Sequence, residues 1–232
     1  MKTILKPPHS YRPLRQVLAA EIRDSIIAGD LKPGQRIYEV EIAAAMNTSR
    51  SPVREALREL EAEGLVVSQP NKGASVVNFT RHDIIEIYAI RETLESLAIR
   101  WVSDQGLKCD LTGLLITASN MEQLLERPPS PRLRLEFIQL DVDFHTALVA
   151  LARSHRLMAI VRPIFSHVHI INVVGSITCD SARVAQAVTE HRSVVQALGQ
   201  GNAEVAQALL RDHLAGARER LLRTLDPSDC DR

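Results

Sequence analysis

The stretch IAAAMNTSRSPVREALRELEAEGLV, residues 42–66, decides the fold of the N-terminal part of the chain. A short helix at Val40–Met46 leads into Asn47-Thr48, which predicts a turn because Asn tolerates a left-handed backbone. A longer helix begins near Ser49–Ser51, where the pair Ser51-Pro52 suits an N-cap and a first helical position. The apolar positions of this helix form one inward face: Val53, Ala56, Leu57 and Leu60.

The flanking sequence extends this pattern to a domain. Upstream, apolar residues at three- and four-residue steps predict an amphipathic helix over residues 13–28, which ends at Gly29. Downstream, Gly64 ends the longer helix, and two short β-branched runs around a Pro-Asn-Lys-Gly turn predict a β-hairpin. Three helices followed by a two-stranded wing are the order of a winged helix-turn-helix, whose helix after the turn enters the major groove of DNA.

The helix after the turn carries the side chains that DNA binding needs. Arg50, Arg54 and Arg58 recur at four-residue steps on a face distinct from the apolar one. Arginine is the side chain best shaped to read guanine. Ser49 and Ser51 add hydroxyls that can bond phosphate beside the free N–H groups of the helix start.

The wing and the neighbouring charges leave one alternative open. Lys72, at the tip of the wing, can contact phosphate or the minor groove. Three arginines on a helix can also form a solvated face, with Glu55 and Glu59 as their partners. The order of the elements favours the DNA-binding interpretation.

The segment of residues 42–66, followed by Pro70-Asn-Lys-Gly-Ala, resembles the DNA-binding domain of the GntR family of bacterial transcriptional regulators. The resemblance covers about residues 13–78. It implies that Arg50 and Arg54 lie near bases or their flanking phosphates, that Ser49 and Ser51 lie on phosphate, and that Gly73 lies in the wing. The sequence departs from the family at Asn47, where Gly is usual, and at Val40, where some members carry a DNA-contacting arginine.

From Arg81 onward the sequence is helical. Apolar periodicity and Gly/Pro breaks predict helices over these segments: 81–105, 108–126, 132–153, 155–175, 180–199 and 202–225. We therefore predict a mainly α protein, with a winged helix-turn-helix domain at residues 1–79 and an all-helical bundle of six or seven helices at residues 80–226.

Four residues of the second domain form a candidate metal site. Asp141 and His145 are four apart, so both side chains point to the same side of their helix. His191 and His213 each fall in the middle of a later helix with apolar neighbours, and a bundle can direct such groups inward at one ion. Asp143 is the competing carboxylate, but it lies only two residues from the first histidine and points elsewhere.

One carboxylate and three imidazoles suit a borderline divalent metal: zinc first, with nickel, manganese or iron as alternatives. Histidines that are buried and satisfied by hydrogen bonds, or a surface cluster, are the other interpretations of the same spacing.

Residues 81–223 look like the helical effector domain of the FadR-type branch of the family, called the FCD domain. The matching pieces are Ile87–Glu95, Asp141–Leu148, Glu190–Leu198 and Asp212–Leu214. The resemblance implies a divalent metal held by Asp141, His145, His191 and His213, beside a cavity for a small carboxylate.

Arg91 matches an arginine of the family that can face the cavity and pair with the carboxylate of the effector. An interhelical salt bridge involving its neighbours Glu92 or Glu95 is an equal alternative. His155 departs from the family, which often has Asn there, and we assign it no ligand role.

Composition sets the remaining limits. The chain has 232 residues, with 28 Lys+Arg and 28 Asp+Glu, and neither a membrane-spanning stretch nor a signal peptide is evident, so a cytoplasmic protein without a membrane partner is expected. The zero net charge conceals 11 Lys+Arg against 9 Asp+Glu in residues 1–80, and 17 against 19 in the rest. DNA binding then depends on where the arginines lie more than on bulk charge.

The resemblance implies a ligand-responsive regulator, most often a repressor in this family. It would act as a homodimer on near-palindromic double-stranded operator DNA, because one small DNA-binding domain reads only a half-site. A small organic acid bound beside the metal would be the effector. The alternative is a regulator for which the metal itself is the signal. A metalloenzyme is not expected, since no nucleophile or free general base accompanies the ligands.

Overall fold

The computed structural model describes residues 13–69, 73–104, 110–175 and 181–224. The chain divides into two compact units, Met1–Val77 and Asn78–Arg232. Within the described residues, the first unit combines helices with a small sheet and the second is helical, so the protein is mainly α as predicted. None of the helices in those ranges is both long and apolar enough to span a membrane.

The first unit is a winged helix-turn-helix. Its elements are α1 (Leu14–Ala28), β1 (Arg36–Ile37), α2 (Glu39–Ala45), α3 (Arg50–Ala62), β2 (Val66–Gln69) and β3 (Gly73–Val76). Helices α1 and α3 pack together through buried side chains that include Leu18, Ile22, Val53 and Leu60. The turn between α2 and α3 contains Asn47 at φ 47°, the left-handed conformation that the sequence predicted for it.

Two details of this unit differ from the prediction. The wing is a three-stranded antiparallel sheet in the order β1-β3-β2, because Arg36 and Ile37 pair with Ser75 and Ala74. A strand of two residues is too short to show an alternating pattern, so the sequence did not reveal it. Helix α3 begins at Arg50, so Ser51 is not its N-cap.

Ser49 takes the N-cap position of α3, although its side chain accepts no capping hydrogen bond. Pro52 lies within the first turn, where its missing N–H removes no intrahelical hydrogen bond. The hydroxyls of Ser49 and Ser51 are therefore not used to cap the helix, and both residues are exposed.

The second unit is a bundle of packed helices. They are α4 (Arg81–Asp104), α5 (Thr112–Leu124), α6 (Pro131–Ala150), α7 (His155–Gly175), α8 (Ser181–Gly199) and α9 (Ala203–Thr224). Helix α9 packs on α8 and α4, while α6 packs on α5, α7 and α4. Phe144, Leu148 and Leu210 are fully buried in the core that these contacts enclose. This arrangement brings the middles of α4, α6, α8 and α9 to one place.

Local sequence explains the limits of α6. Ser130 caps its start by accepting a hydrogen bond from the Leu133 N–H at 3.1 Å, and Pro131 occupies the first turn. The helix ends at Ala150, three residues before its predicted end, because Arg153 adopts a left-handed φ of 49°. Ser154 then accepts from the Leu157 N–H and caps α7.

Candidate functional site

The exposed face of α3 carries the predicted DNA-binding side chains. Arg50, Arg54 and Arg58 are exposed, as are Ser49 and Ser51. Gly73 is exposed at the start of β3 and has φ +81°, a backbone conformation that favours glycine. Lys72 lies outside the described residues.

Two of these arginines share one carboxylate, which the sequence analysis did not identify. Glu39, at the start of α2, accepts hydrogen bonds from Arg50 Nη2 at 2.8 Å and from Arg54 Nε at 2.8 Å. The hydrogen bond from Arg54 lowers the pKa of Glu39, and the one from Arg50 acts in the same direction. The Glu39 side chain is 25% exposed, while those of Arg50 and Arg54 are 54% and 56% exposed. Glu39 therefore holds both guanidinium groups at the start of α3 and leaves much of each accessible to DNA.

The four predicted metal ligands come together inside the second unit. Asp141 and His145 project from α6, His191 from α8 and His213 from α9, and one ligand atom from each lies within 4.8 Å of the others. All four side chains are buried. The competing Asp143 is exposed and accepts a hydrogen bond from Gln139 at 2.8 Å. The turn of α6 thus separates the two aspartates as their spacing predicted.

Two carboxylates hold the histidine rings from behind. Glu95 Oε2 on α4 lies 2.6 Å from His145 Nδ1, and Glu190 Oε2 on α8 lies 2.7 Å from His213 Nδ1. When these carboxylates are ionised they can only accept, so each Nδ1 then carries the proton. In the neutral rings, both Nε2 atoms are then left with a lone pair. This carboxylate–histidine arrangement is typical of metal sites, where the outer carboxylate fixes the tautomer and the orientation of the ring.

The three Nε2 atoms converge on one point. His213 Nε2 lies 3.3 Å from His145 Nε2 and 3.2 Å from His191 Nε2. Nitrogens this close need a proton or a cation between them. Ligand atoms at about 2.0–2.1 Å from a tetrahedral zinc ion stand about 3.3 Å apart, which matches these separations. The donor set and its spacing therefore fit a divalent metal.

His191 is positioned mainly by packing. Its ring stacks on that of Phe144 with centroids 4.0 Å apart, and its Nδ1 lies 3.3 Å from Met121 Sδ. Its Nε2 faces Asp141 Oδ1 at 3.5 Å. A thioether is a weak acceptor, so this ring is held chiefly by the stacking contact.

Burial also prepares the protonation states that a metal requires. Burial lowers the pKa of His145 and His191 well below the ordinary value of 6.5, so both rings are neutral at physiological pH. Burial raises the pKa of Glu95 to about 7, against the opposing charge of Arg91. The two histidines are ready to bind a metal without first losing a proton.

Arg91, the predicted effector ligand, is buried within α4. Its Nε donates to Glu95 Oε1 at 2.6 Å, an ion pair within one helix rather than the interhelical salt bridge considered from the sequence. Its guanidinium lies over the Tyr88 ring, 5.4 Å from the centroid, and near Phe165. One nitrogen, Nη2, has no hydrogen-bond partner among the described residues. Arg91 thus connects through Glu95 to a metal ligand and keeps one donor free.

Sequence reasoning missed the two carboxylates behind the histidines. Glu95 is four residues after Arg91 on a face that is otherwise apolar, and that pattern predicts a buried ion pair. Glu190 directly precedes His191, but it contacts His213 on the next helix. No sequence pattern predicts such a contact, because it depends on how α8 and α9 pack.

A winged helix-turn-helix joined to a helical effector-type domain defines a DNA-binding transcriptional regulator, not an enzyme. The family model "Bacterial regulatory proteins, gntR family" matches residues 14–76, and the model of the FCD domain matches residues 86–216. The chain belongs to the GntR family of regulators and has an FCD effector domain.

Known transcriptional regulators are similar to this protein over most of its chain. The uncharacterized HTH-type transcriptional regulator YdhC of Bacillus subtilis is 30% identical, with 89% of this chain and 90% of that protein covered. The probable D-xylose utilization operon transcriptional repressor of Paenarthrobacter nicotinovorans is 31% identical, with 89% of each chain covered. A crystal structure of a GntR-type regulator from Rhodococcus sp. RHA1 has a TM-score of 0.78 at 26% identity, covering 91% of this chain and 99% of that one.

Proposed function

We propose that this regulator is a repressor whose binding to operator DNA is modulated by a small carboxylate bound beside a divalent metal. Its ligands would be Asp141, His145, His191 and His213. The observation that carries the proposal is the convergence of three buried Nε2 atoms, two of them on rings whose Nδ1 faces a carboxylate. Zinc suits these ligands and spacings best, with nickel, manganese and iron as alternatives.

The proposed DNA contacts lie on α3 and the wing. Arg50, Arg54 and Arg58 would reach bases and flanking phosphates, because they are exposed on the helix that follows the turn. Ser49 and Ser51 would bond phosphate, and Lys72 and Gly73 would place the wing along the backbone.

Repression is supported by relatives. The Paenarthrobacter protein is named a repressor, and the gluconate operon transcriptional repressor of Bacillus subtilis is 33% identical over 57% of this chain. We extend that mode of action to this chain and place the protein in the cytoplasm, where its operator lies.

A homodimer would bind a near-palindromic site, one α3 helix in each half-site. We take residues 1–79 as the DNA-binding domain and residues 80–226 as the domain for effector binding and dimerisation. The helical unit exposes large apolar side chains suited to burial against a second copy, including Leu115, Ile116 and Ile160.

Gel-shift titration with the DNA upstream of the protein's own gene tests the DNA contacts. Replacing Arg50 and Arg54 together by Ala should weaken binding at least a hundredfold, since two charged contacts are lost. Arg15→Ala, on α1, is the matched control for the loss of an exposed arginine. Unchanged affinity in the double variant would contradict the proposed DNA-binding face.

The second candidate function is direct metal sensing, which the buried four-ligand cluster also supports. The two differ in what releases DNA. An effector-responsive repressor keeps its metal and releases DNA when an organic acid is added at constant metal. A metal sensor releases DNA when free metal changes and ignores the acid.

A further inference from the structure

Four buried side-chain atoms on α4, α8 and α9 have no hydrogen-bond partner among the described residues. They are Tyr88 Oη, Arg91 Nη2, Arg183 Nη1 and Arg220 Nη2. Buried polar groups are nearly always satisfied, so a set of four donors without acceptors needs an explanation. All four atoms can donate, and three belong to cations that cannot lose their proton.

The packing of the helices places these groups on the same side of the metal cluster. Helices α8 and α9 are joined by a short loop and pack side by side, so their directions are opposed. Arg183 is eight residues before His191 on α8, and Arg220 is seven residues after His213 on α9. Both therefore lie toward the same end of the bundle.

Helix α4 contributes the other two groups at that end. Arg81 Nη1, at the start of α4, donates to the carbonyl oxygen of Leu222, near the end of α9, at 3.1 Å. Helix α4 thus runs opposite to α9, and Tyr88 and Arg91 extend from Glu95 toward the end that carries Arg220.

The side chain of Arg220 folds back along α9 toward the metal ligands. A Cβ placed on Gly216 would come within 3.1 Å of Arg220 Nη1, closer than real Cβ atoms usually approach. Gly216 is only three residues beyond His213, roughly 4.5 Å of helix rise. The glycine therefore leaves space for the guanidinium to lie close to the metal cluster.

The charges in this region are unbalanced. Burial and the like charge of Arg183 both lower the pKa of Arg220. Burial raises the pKa of the Tyr88 phenol, while the charges of the three arginines act on it in the opposite direction. Cations held together in this way, with donors left over, favour an anion between them.

We propose that Tyr88, Arg91, Arg183 and Arg220 form a second anion subsite beside the metal, so that the effector is a short di- or tricarboxylate with one carboxylate on the ion and another among the arginines. This rests on the proposed function, since it assigns the chemical class of the effector. Arg91 Nη2 and Tyr88 Oη would donate to the acid together with the guanidinium groups of the other two arginines.

Calorimetric titration of the metal-loaded, full-length protein tests the subsite. The probes are pairs of equal chain length: succinate and butyrate, glutarate and valerate, malate and 3-hydroxybutyrate. At least one diacid should bind tenfold or more tightly than its monoacid. Equal affinity within every pair would overturn the subsite while leaving an effector site. Binding of none of the acids would overturn both the subsite and the proposed carboxylate effector.

Variants separate the subsite from the fold. Arg220→Gln and Gly216→Ala should each reduce the preference for the diacid at least tenfold, while metal content stays at the wild-type level. Arg218→Gln, on the same helix but paired with Glu219, is the control and should leave the preference unchanged. An unaltered preference in Arg220→Gln would overturn the assignment.

Stability without ligand gives a second readout. Because Arg220 has an unpaired buried donor, Arg220→Gln should leave the melting temperature of the ligand-free protein unchanged or raise it. A lower melting temperature with an unaltered diacid preference would show a purely structural arginine and contradict the proposal.

Discussion

Replacing Glu190 by Gln tests how the outer carboxylates support the metal site. The Glu190 carboxylate accepts a hydrogen bond from His213 Nδ1, with 2.7 Å between Nδ1 and Oε2, and the Glu190 side chain is 26% exposed. Gln keeps the shape but offers a neutral acceptor, so the ring is held less firmly and its Nε2 becomes a weaker ligand. Loss of such a partner typically costs 10–100-fold in metal affinity. We expect zinc to bind Glu190→Gln 10–100-fold more weakly, a loss of about 1.4–2.7 kcal/mol.

Competition with a chromophoric zinc chelator at pH 7.5 measures that affinity. The metal-induced rise in melting temperature should also shrink, by roughly 3–10 °C, at about 2–4 °C per kcal/mol for a protein of this size. Glu136→Gln is the matched control, because Glu136 forms only a surface ion pair with Arg127. An affinity for zinc within twofold of the wild type in Glu190→Gln would refute the reasoning.

Three other outcomes are expected. Glu39→Gln should tighten binding to non-specific DNA about two- to fivefold in gel shifts, since it removes a carboxylate that competes with phosphate for two arginines. Ser130→Ala should lower the free energy of unfolding in urea by about 1 kcal/mol, because it removes the cap of α6. In metal-free protein, His145 and His191 stay neutral when folded and gain protons when unfolded, so stability is lost as pH falls below 6.5. Glu95 has a folded pKa of about 7, so between pH 5 and 6 it binds a proton in the folded protein but not in the unfolded chain. That proton offsets one of the two histidines, so the free energy of unfolding falls by about 1.4 kcal/mol per pH unit from pH 6 to 5. Urea titrations that show the same free energy at both pH values would contradict this.

Most of the fold could be predicted from the periodic spacing of apolar residues. The apolar face of α3 and the glycines at helix ends predicted the elements, because both reflect local backbone preferences. Strand β1 could not be predicted in this way. Arg36 and Ile37 are extended because they pair with β3, which is a contact between distant parts of the chain.

The candidate site shows the same division. Asp141 and His145 share a side of one helix, so their spacing alone brings them together. The approach of His191 to His213 depends on how α8 packs on α9. Their mid-helix positions with apolar neighbours allowed a shared ion but left other interpretations open, and the family resemblance favoured it. The contact between Glu190 and His213 was predicted neither by residue spacing nor by the family resemblance.

The arginines near the metal show why side-chain chemistry is harder to predict than the fold. The sequence predicted Arg91 as a ligand for a carboxylate, but Arg183 and Arg220 look like ordinary charged residues of amphipathic helices. Only the structure shows that both guanidinium groups have a buried nitrogen without an acceptor among the described residues. Space for one of them depends on Gly216, whose role is not visible in a helical pattern.

Metal content measured by mass spectrometry tests the central claim most directly. The account predicts about one divalent ion per chain in purified, dialysed wild-type protein, and its loss in both His191→Ala and His213→Ala. His155→Ala, which changes an exposed histidine at the start of α7, should retain the ion. Wild-type levels of metal in both of the buried-histidine variants would contradict the account.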